Sequence, residues 1–262
     1  MNRLSNFFRS SEVSRFNSLD LAEIMRYAVL IIGIYHYKNV PPLRATSDAE
    51  DIANLFAEMS LAYPFSSQTL LLDTQATELA IINALDALAG ETDENTLVFI
   101  YFAGHGVRAT QSGRFWYYLL PFDGKADDLT QLEGSAISME KFSNKLGAIN
   151  ALQWVLVLDC CKAGSIAEHL SRSLPKENNR NWAILAATTG DSNSYALPHR
   201  RHSCFTQYLL EGLSGRAIDQ SGTVRIMNLI DYIQRNIQQE PILQQPVLKA
   251  HLHQNFVLKH CM

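Results

Sequence analysis

TLVFIYFAGHG, residues 96–106, decides the fold. Its first seven residues are bulky, apolar or β-branched with no polar alternate, the pattern of a strand covered on both faces rather than one with a wet side. The run then gives way to Ala103-Gly104-His105-Gly106, a titratable side chain between two glycines that let other backbone come close. WVLVLDCCKAGS, residues 154–165, has the same design: a buried strand running into Asp159, Cys160 and Cys161. Reactive groups of parallel α/β sheets collect just past the carboxyl ends of strands, and both stretches place one there.

Outward from these two runs the chain alternates between two periods. Short apolar runs at 27–34, 67–72, 96–102, 153–158 and 183–187 read as strands, and residues 256–258 (FVL) as a further edge strand. Between them, 47–59, 77–89, 139–149, 204–213 and about 225–239 carry helical periodicity. Ser47, followed by acidic residues in the first turn, is a helix start. FWYY (115–118) reads as a strand packed on the core. Strand–helix alternation with unalternating strands predicts an α/β domain with a largely parallel sheet.

The 262 residues suffice for one large domain, and 47% hydrophobic with 18% charged residues is ordinary globular composition. A net charge of −4 lacks the basic excess of nucleic-acid binders, and no phosphate-cradling glycine loop is present. Four cysteines, two of them adjacent, do not form a disulfide framework and suit a reducing compartment. The longest apolar stretch, Tyr27 to Tyr35, is too short to span a bilayer and lacks a signal cleavage site. A cytoplasmic protein that binds neither membrane nor nucleic acid is therefore expected. Residues 1–26 form a separate zone, either a packed helix or a docking arm for an activating protein partner. The domain spans 27–262, with a polar linker at 174–180 (LPKENNR).

YFAGHG, LDCCKAGS, the opening YAVLIIGIYHY and PPLRATSDAEDIANLF together resemble the caspase/metacaspase superfamily over about residues 27–258. The likeness is closer to prokaryotic caspase-like proteins and metacaspases, whose signature is Asp-Ser-Cys-His-Ser-Gly. The His–Cys separation of 56 residues is close to the roughly 50 of the caspase arrangement. The resemblance implies a caspase-like α/β/α sandwich, a mostly parallel sheet with helices on both faces. Its large-subunit-like part is 27–173 and its small-subunit-like part 181–262. The implied activity is that of a cysteine endopeptidase acting on protein or peptide substrates through a thioester. Its setting would be a bacterial stress, cell-death or antiphage pathway.

By the same resemblance Cys161 is the nucleophile, His105 its base, and the N–H groups of Gly106 and Cys161 the oxyanion hole. Cys160 takes the motif's small-residue position and packs under the strand end. Lys162 and Ala163 stand where the motif has His and Ser, a departure beside the nucleophile. Metacaspases cut after Arg or Lys because two aspartates line the pocket for the residue before the scissile bond (P1). Asp48 and Asp159 match them, although a helix-dipole partner and a loop cap are the plainer readings of each. Asp191, Ser192 and Tyr195 fall in a segment resembling the cleft-closing loop and serve either as substrate contacts or as turn residues. Some metacaspases need calcium; Asp123, Asp127 and Asp128 lie in the corresponding region, but their spacing predicts no site. His251 and His253 lack the neighbours of a metal cluster, so neither metal nor other cofactor is predicted. Two rival readings remain: a catalytically silent caspase-like scaffold or adaptor, and a CHAT-like or separase-like protease of different specificity.

Overall fold

The computed structural model describes residues 26–43, 46–174, 176, 180–190 and 200–261. Residues 1–25, most of the expected linker, and Asp191, Ser192 and Tyr195 lie outside them.

In chain order the elements are β1 (Arg26–Gly33), α1 (Thr46–Met59), β2 (Phe65–Leu72), α2 (Glu78–Glu91), β3 (Thr96–Gly104), β4 (Gly106–Gln111) and β5 (Arg114–Leu119). There follow α3 (Leu129–Ser135), β6 (Ile137–Ser138), α4 (Met139–Gly147), β7 (Gln153–Cys160), α5 (Ala163–Ser173) and β8 (Asn181–Ala186). The last are α6 (Cys204–Glu211), β9 (Thr223–Arg225), α7 (Ile226–Ile237), β10 (Val247–His251) and β11 (Val257–His260). The main sheet has the strand order β10-β8-β7-β3-β1-β2, with β10 antiparallel and the other five parallel.

All nine residues of β3 are buried, as the unalternating run requires. Successive side chains of a strand point to opposite faces, so the central strands feed two cores. Ala28, Leu30, Ile100, Phe102, Trp154 and Leu156 pack with α2, α4 and α5. Val29, Ile31, Phe99, Tyr101, Val155 and Val157 pack with α1, α6 and α7. Trp154 and Trp182 stack at 5.8 Å between ring centroids in the first core. This is the expected sandwich with helices on both faces.

Three features depart from the sequence reading. Val257 and Leu258 of the FVL run open β11, which pairs with β9 in a separate two-stranded sheet; the edges of the main sheet are instead β10 and β2. FWYY lies in β5 of a small β4-β5-β6 sheet, where Tyr118 is buried but Phe115 and Trp116 are exposed, so only part of the run meets a core. Residues 163–173, which are not among the helical periods read from the sequence, form α5. Among the described residues no helix is long and apolar enough to cross a membrane.

Gly33 fixes where α1 sits. A Cβ there would lie 2.4 Å from the Ala49 Cβ, so the Ala49 methyl of the helix rests on bare strand backbone. Overpacking of this kind costs about 1–3 kcal/mol. Gly33→Ala is expected to lower stability by that amount in urea unfolding, with an unchanged denaturant slope.

Candidate active site

Neighbouring β3 and β7 pair in register from Leu97↔Gln153 to Gly104↔Cys160. His105 and Cys161 are the next residue on each, so the two leave the sheet side by side. Their backbones are tightly packed: a Cβ on Gly106 would fall 2.1 Å from the Cys161 carbonyl oxygen. No side chain larger than hydrogen fits at 106 without moving the cysteine.

The imidazole is held by the loop that follows β1. His105 Nε2 lies 3.1 Å from the Pro41 carbonyl oxygen. A carbonyl only accepts, so Nε2 carries a proton and Nδ1 is the nitrogen left for chemistry in the neutral ring. The loop is tied down at several points. The N–H groups of Tyr35 and His36 donate to Asp73 Oδ1 at 2.7 and 2.9 Å, and Leu43 N–H donates to the Tyr35 carbonyl at 2.8 Å. Tyr37 supports the histidine from below, its hydroxyl accepting the His105 N–H at 2.6 Å and its ring centroid 4.7 Å from the imidazole. Burial pushes the Tyr37 phenol up, so it stays neutral. Gly104 is needed here as well, since a Cβ would lie 2.6 Å from the Tyr37 hydroxyl.

The two cysteines differ sharply. Cys160 is buried beneath α5, and burial, then the charge of Asp159, pushes its thiol well up. Cys161 is half-buried at the end of the strand. Lys162 then turns the chain in the left-handed region (φ 65°), so that β7 passes into α5 within two residues. Gly164, in the first turn of α5, lets the 188–190 segment approach: a Cβ would meet Gly190 N at 2.4 Å and Thr188 O at 2.5 Å.

Asp159 is two residues before Cys161 and faces the opposite side of the sheet from Cys160, toward α1 and α6. There it meets Asp48, from the first turn of α1. Asp48 is fully buried and Asp159 nearly so. Ser203, immediately before α6, joins them. Its N–H lies 3.2 Å from each Asp48 carboxylate oxygen, and its hydroxyl donates to Asp159 Oδ2. Thr206 Oγ1 donates to the same Oδ2 at 2.8 Å. Burial first, and the charge of Asp159 second, raise Asp48 to about 8 despite the Ser203 amide. One turn along α1, Asp51 accepts from Arg201 Nε and Nη2 at 2.6 and 2.8 Å and lies 2.6 Å from His202 Nε2.

Of the sequence-predicted residues, the structure therefore brings together His105, Cys161 and Gly106 at two strand ends, and Asp48 with Asp159 beside them. Asp123 accepts the Glu78 N–H and Asp128 caps α3, each with a structural use. Pro41, Tyr37, Ser203 and Thr206 were missed. Ser203 had a signal, a serine directly before a helical period; a backbone carbonyl such as that of Pro41 leaves none.

The caspase domain family model matches residues 26–257. The chain belongs to the caspase-domain family. No curated protein matches the sequence. Among solved structures, a protein of Geobacter sulfurreducens superposes with a TM-score of 0.65 at 16% identity, over 87% of this chain and 94% of that one. At that identity the likeness is one of fold. Caspase-domain membership agrees with the resemblance read from YFAGHG and LDCCKAGS, and the family's departing positions have local roles here: Lys162 makes the left-handed turn and Ala163 opens α5.

Asp48 links stability to pH. Its carboxyl binds a proton more tightly folded, near pH 8, than unfolded, near pH 4, so between these values the native state holds more protons. Its contribution therefore becomes less favourable as pH rises through that window. Asp48→Asn, which keeps an acceptor for Ser203, is expected to gain melting temperature over the wild type progressively from pH 5 to pH 9. A difference that is flat with pH would contradict a buried, raised Asp48.

Proposed function

We propose that the chain is an active cysteine endopeptidase that cleaves after Arg or Lys. The observation that carries this reading is the paired ending of β3 and β7, which sets His105, with Nε2 already engaged by Pro41, beside Cys161. Nδ1 of His105 takes the Cys161 thiol proton as sulfur attacks the scissile carbonyl carbon. The N-terminal end of α5, directly after Cys161 and Lys162, favours negative charge at that position. The oxyanion is stabilised by the backbone N–H groups of Gly106 and Cys161. His105 then gives its proton to the leaving amine as the C–N bond breaks, and water hydrolyses the thioester.

The carboxylates of Asp48 and Asp159 support the choice of P1 residue. A guanidinium or ammonium entering between them supplies the opposite charge that buried carboxylates need, whereas an acidic side chain adds a like charge to the pair. Binding of a cation also draws the proton off Asp48, so affinity for basic P1 side chains is expected to rise toward pH 8.

Fluorogenic peptides that differ only in carrying Arg, Lys or Asp at P1 test this. The wild type is expected to cut the Arg and Lys peptides and spare the Asp peptide, and Cys161→Ala to cut none. Asp159→Asn removes one charge of a buried pair, a loss of about 2–5 kcal/mol, and should lower kcat/KM for P1 Arg by roughly thirtyfold or more. Failure to cut any peptide, together with no labelling of Cys161 by a thiol-reactive peptide, would favour a scaffold role instead.

A further inference from the structure

Ser203 carries out three tasks with one side chain and one amide. Its Oγ accepts the Thr206 N–H at 3.0 Å and so caps α6. That directs its hydroxyl proton outward, to Asp159 Oδ2. Its N–H is shared between both oxygens of Asp48. The other donors of the cluster can be ordered by counting protons. Thr206 gives its only hydroxyl proton to Asp159, so its oxygen accepts from Tyr101, whose hydroxyl is 2.7 Å away and wholly buried. Two hydroxyl protons thus converge on Asp159 while Asp48 receives an amide.

The backbone that delivers Ser203 is itself clamped from outside the pocket. Arg201 makes a two-toothed ion pair with Asp51, His202 meets the same carboxylate, and Ser47 Oγ donates to the Arg201 carbonyl. Arg200 pairs with both oxygens of Glu240 at 2.7 and 3.1 Å. Four consecutive residues, 200–203, are thereby fixed against α1 and the segment before β10. Asp48 and Asp51 lie on one α1 turn, so the helix that supplies a pocket carboxylate also supplies the clamp.

We propose that Ser203 is a specificity-setting positioning residue: it fixes the spacing of Asp48 and Asp159 to fit the planar, forked guanidinium over the compact ammonium, and Asp51 holds it in place through Arg201 and His202. This rests on the reading of the carboxylate pair as the P1 pocket. A fork needs acceptors at a fixed separation, whereas a point charge tolerates slack, so loosening the pair costs Arg more than Lys.

The test is the ratio of kcat/KM for two peptide amides that differ only in Arg or Lys at P1, measured on wild type, Ser203→Ala, Ser203→Thr and Asp51→Asn. The wild type should prefer Arg. Ser203→Ala should raise KM for the Arg peptide about tenfold with kcat within threefold, bringing the ratio toward one. Ser203→Thr, which keeps hydroxyl and cap, should restore it, and Asp51→Asn should shift it in the same direction by less. A purely structural loss of the α6 cap would lower melting temperature and both activities together, leaving the ratio where it was. Should Ser203→Ala not fold, Thr206→Val removes the second hydroxyl donor without touching the cap and should give the same fall in ratio. An unchanged ratio in these variants, or a wild-type ratio near one, overturns the proposal while leaving a basic pocket standing. Wild type that cuts neither peptide overturns the pocket and the proposal with it.

Discussion

The in-register pairing of β3 with β7 is the constraint on which the site depends. Parallel strands separate neighbouring backbones by about 4.8 Å, and here the pairing persists to the last residue of each strand. The residues that follow are thus delivered together by main-chain hydrogen bonds rather than by side-chain contacts. The price is paid in glycine: both Gly104 and Gly106 sit where a methyl group would collide with the Tyr37 hydroxyl or the Cys161 carbonyl. The spacing between His105 and Cys161 is therefore set by the sheet, and the side chains around them only orient it.

The two-residue period of the same strand distributes the chemistry. Along β7, Leu158 and Cys160 face the α5 core while Val157 and Asp159 face α1 and α6. A carboxylate two residues before Cys161 is for that reason on the side of the sheet where α1 begins, and Asp48 in the first turn of α1 meets it. The burial of the pair is costly, since desolvation and the charge of Asp159 both lower the tendency of Asp48 to ionise. Hydroxyl and amide donors from the α6 start offset part of that cost, which is why a helix N-terminus closes this corner of the molecule.

Much of this was legible in the residues. The unalternating runs marked the central strands, their endings marked His105 and Cys161, and the caspase resemblance marked the two aspartates. What stayed hidden is what no local pattern encodes. The Pro41 carbonyl is a main-chain atom whose position depends on a loop tied to Asp73 and Phe122. VLKAH (247–251) has intermediate burial and weak alternation, so β10 yields no strong strand signal, while FVL does and pairs elsewhere. The α5 start is masked by Gly164, a residue that disfavours helices but is required here by the close 188–190 backbone.

The same short passage holds the two positions that depart from the family motif. The position after Cys161 must accept a left-handed turn, which costs a non-glycine residue roughly 1–2 kcal/mol, and the next must begin a helix. Lysine meets the first demand no worse than another long side chain, and alanine, the best helix former, meets the second better than serine does away from a cap. The side chains of the motif's His and Ser are therefore not what shapes this turn. What shapes it is the short passage from β7 to α5, which leaves Cys161 at the strand's end with a helix N-terminus directly beyond it.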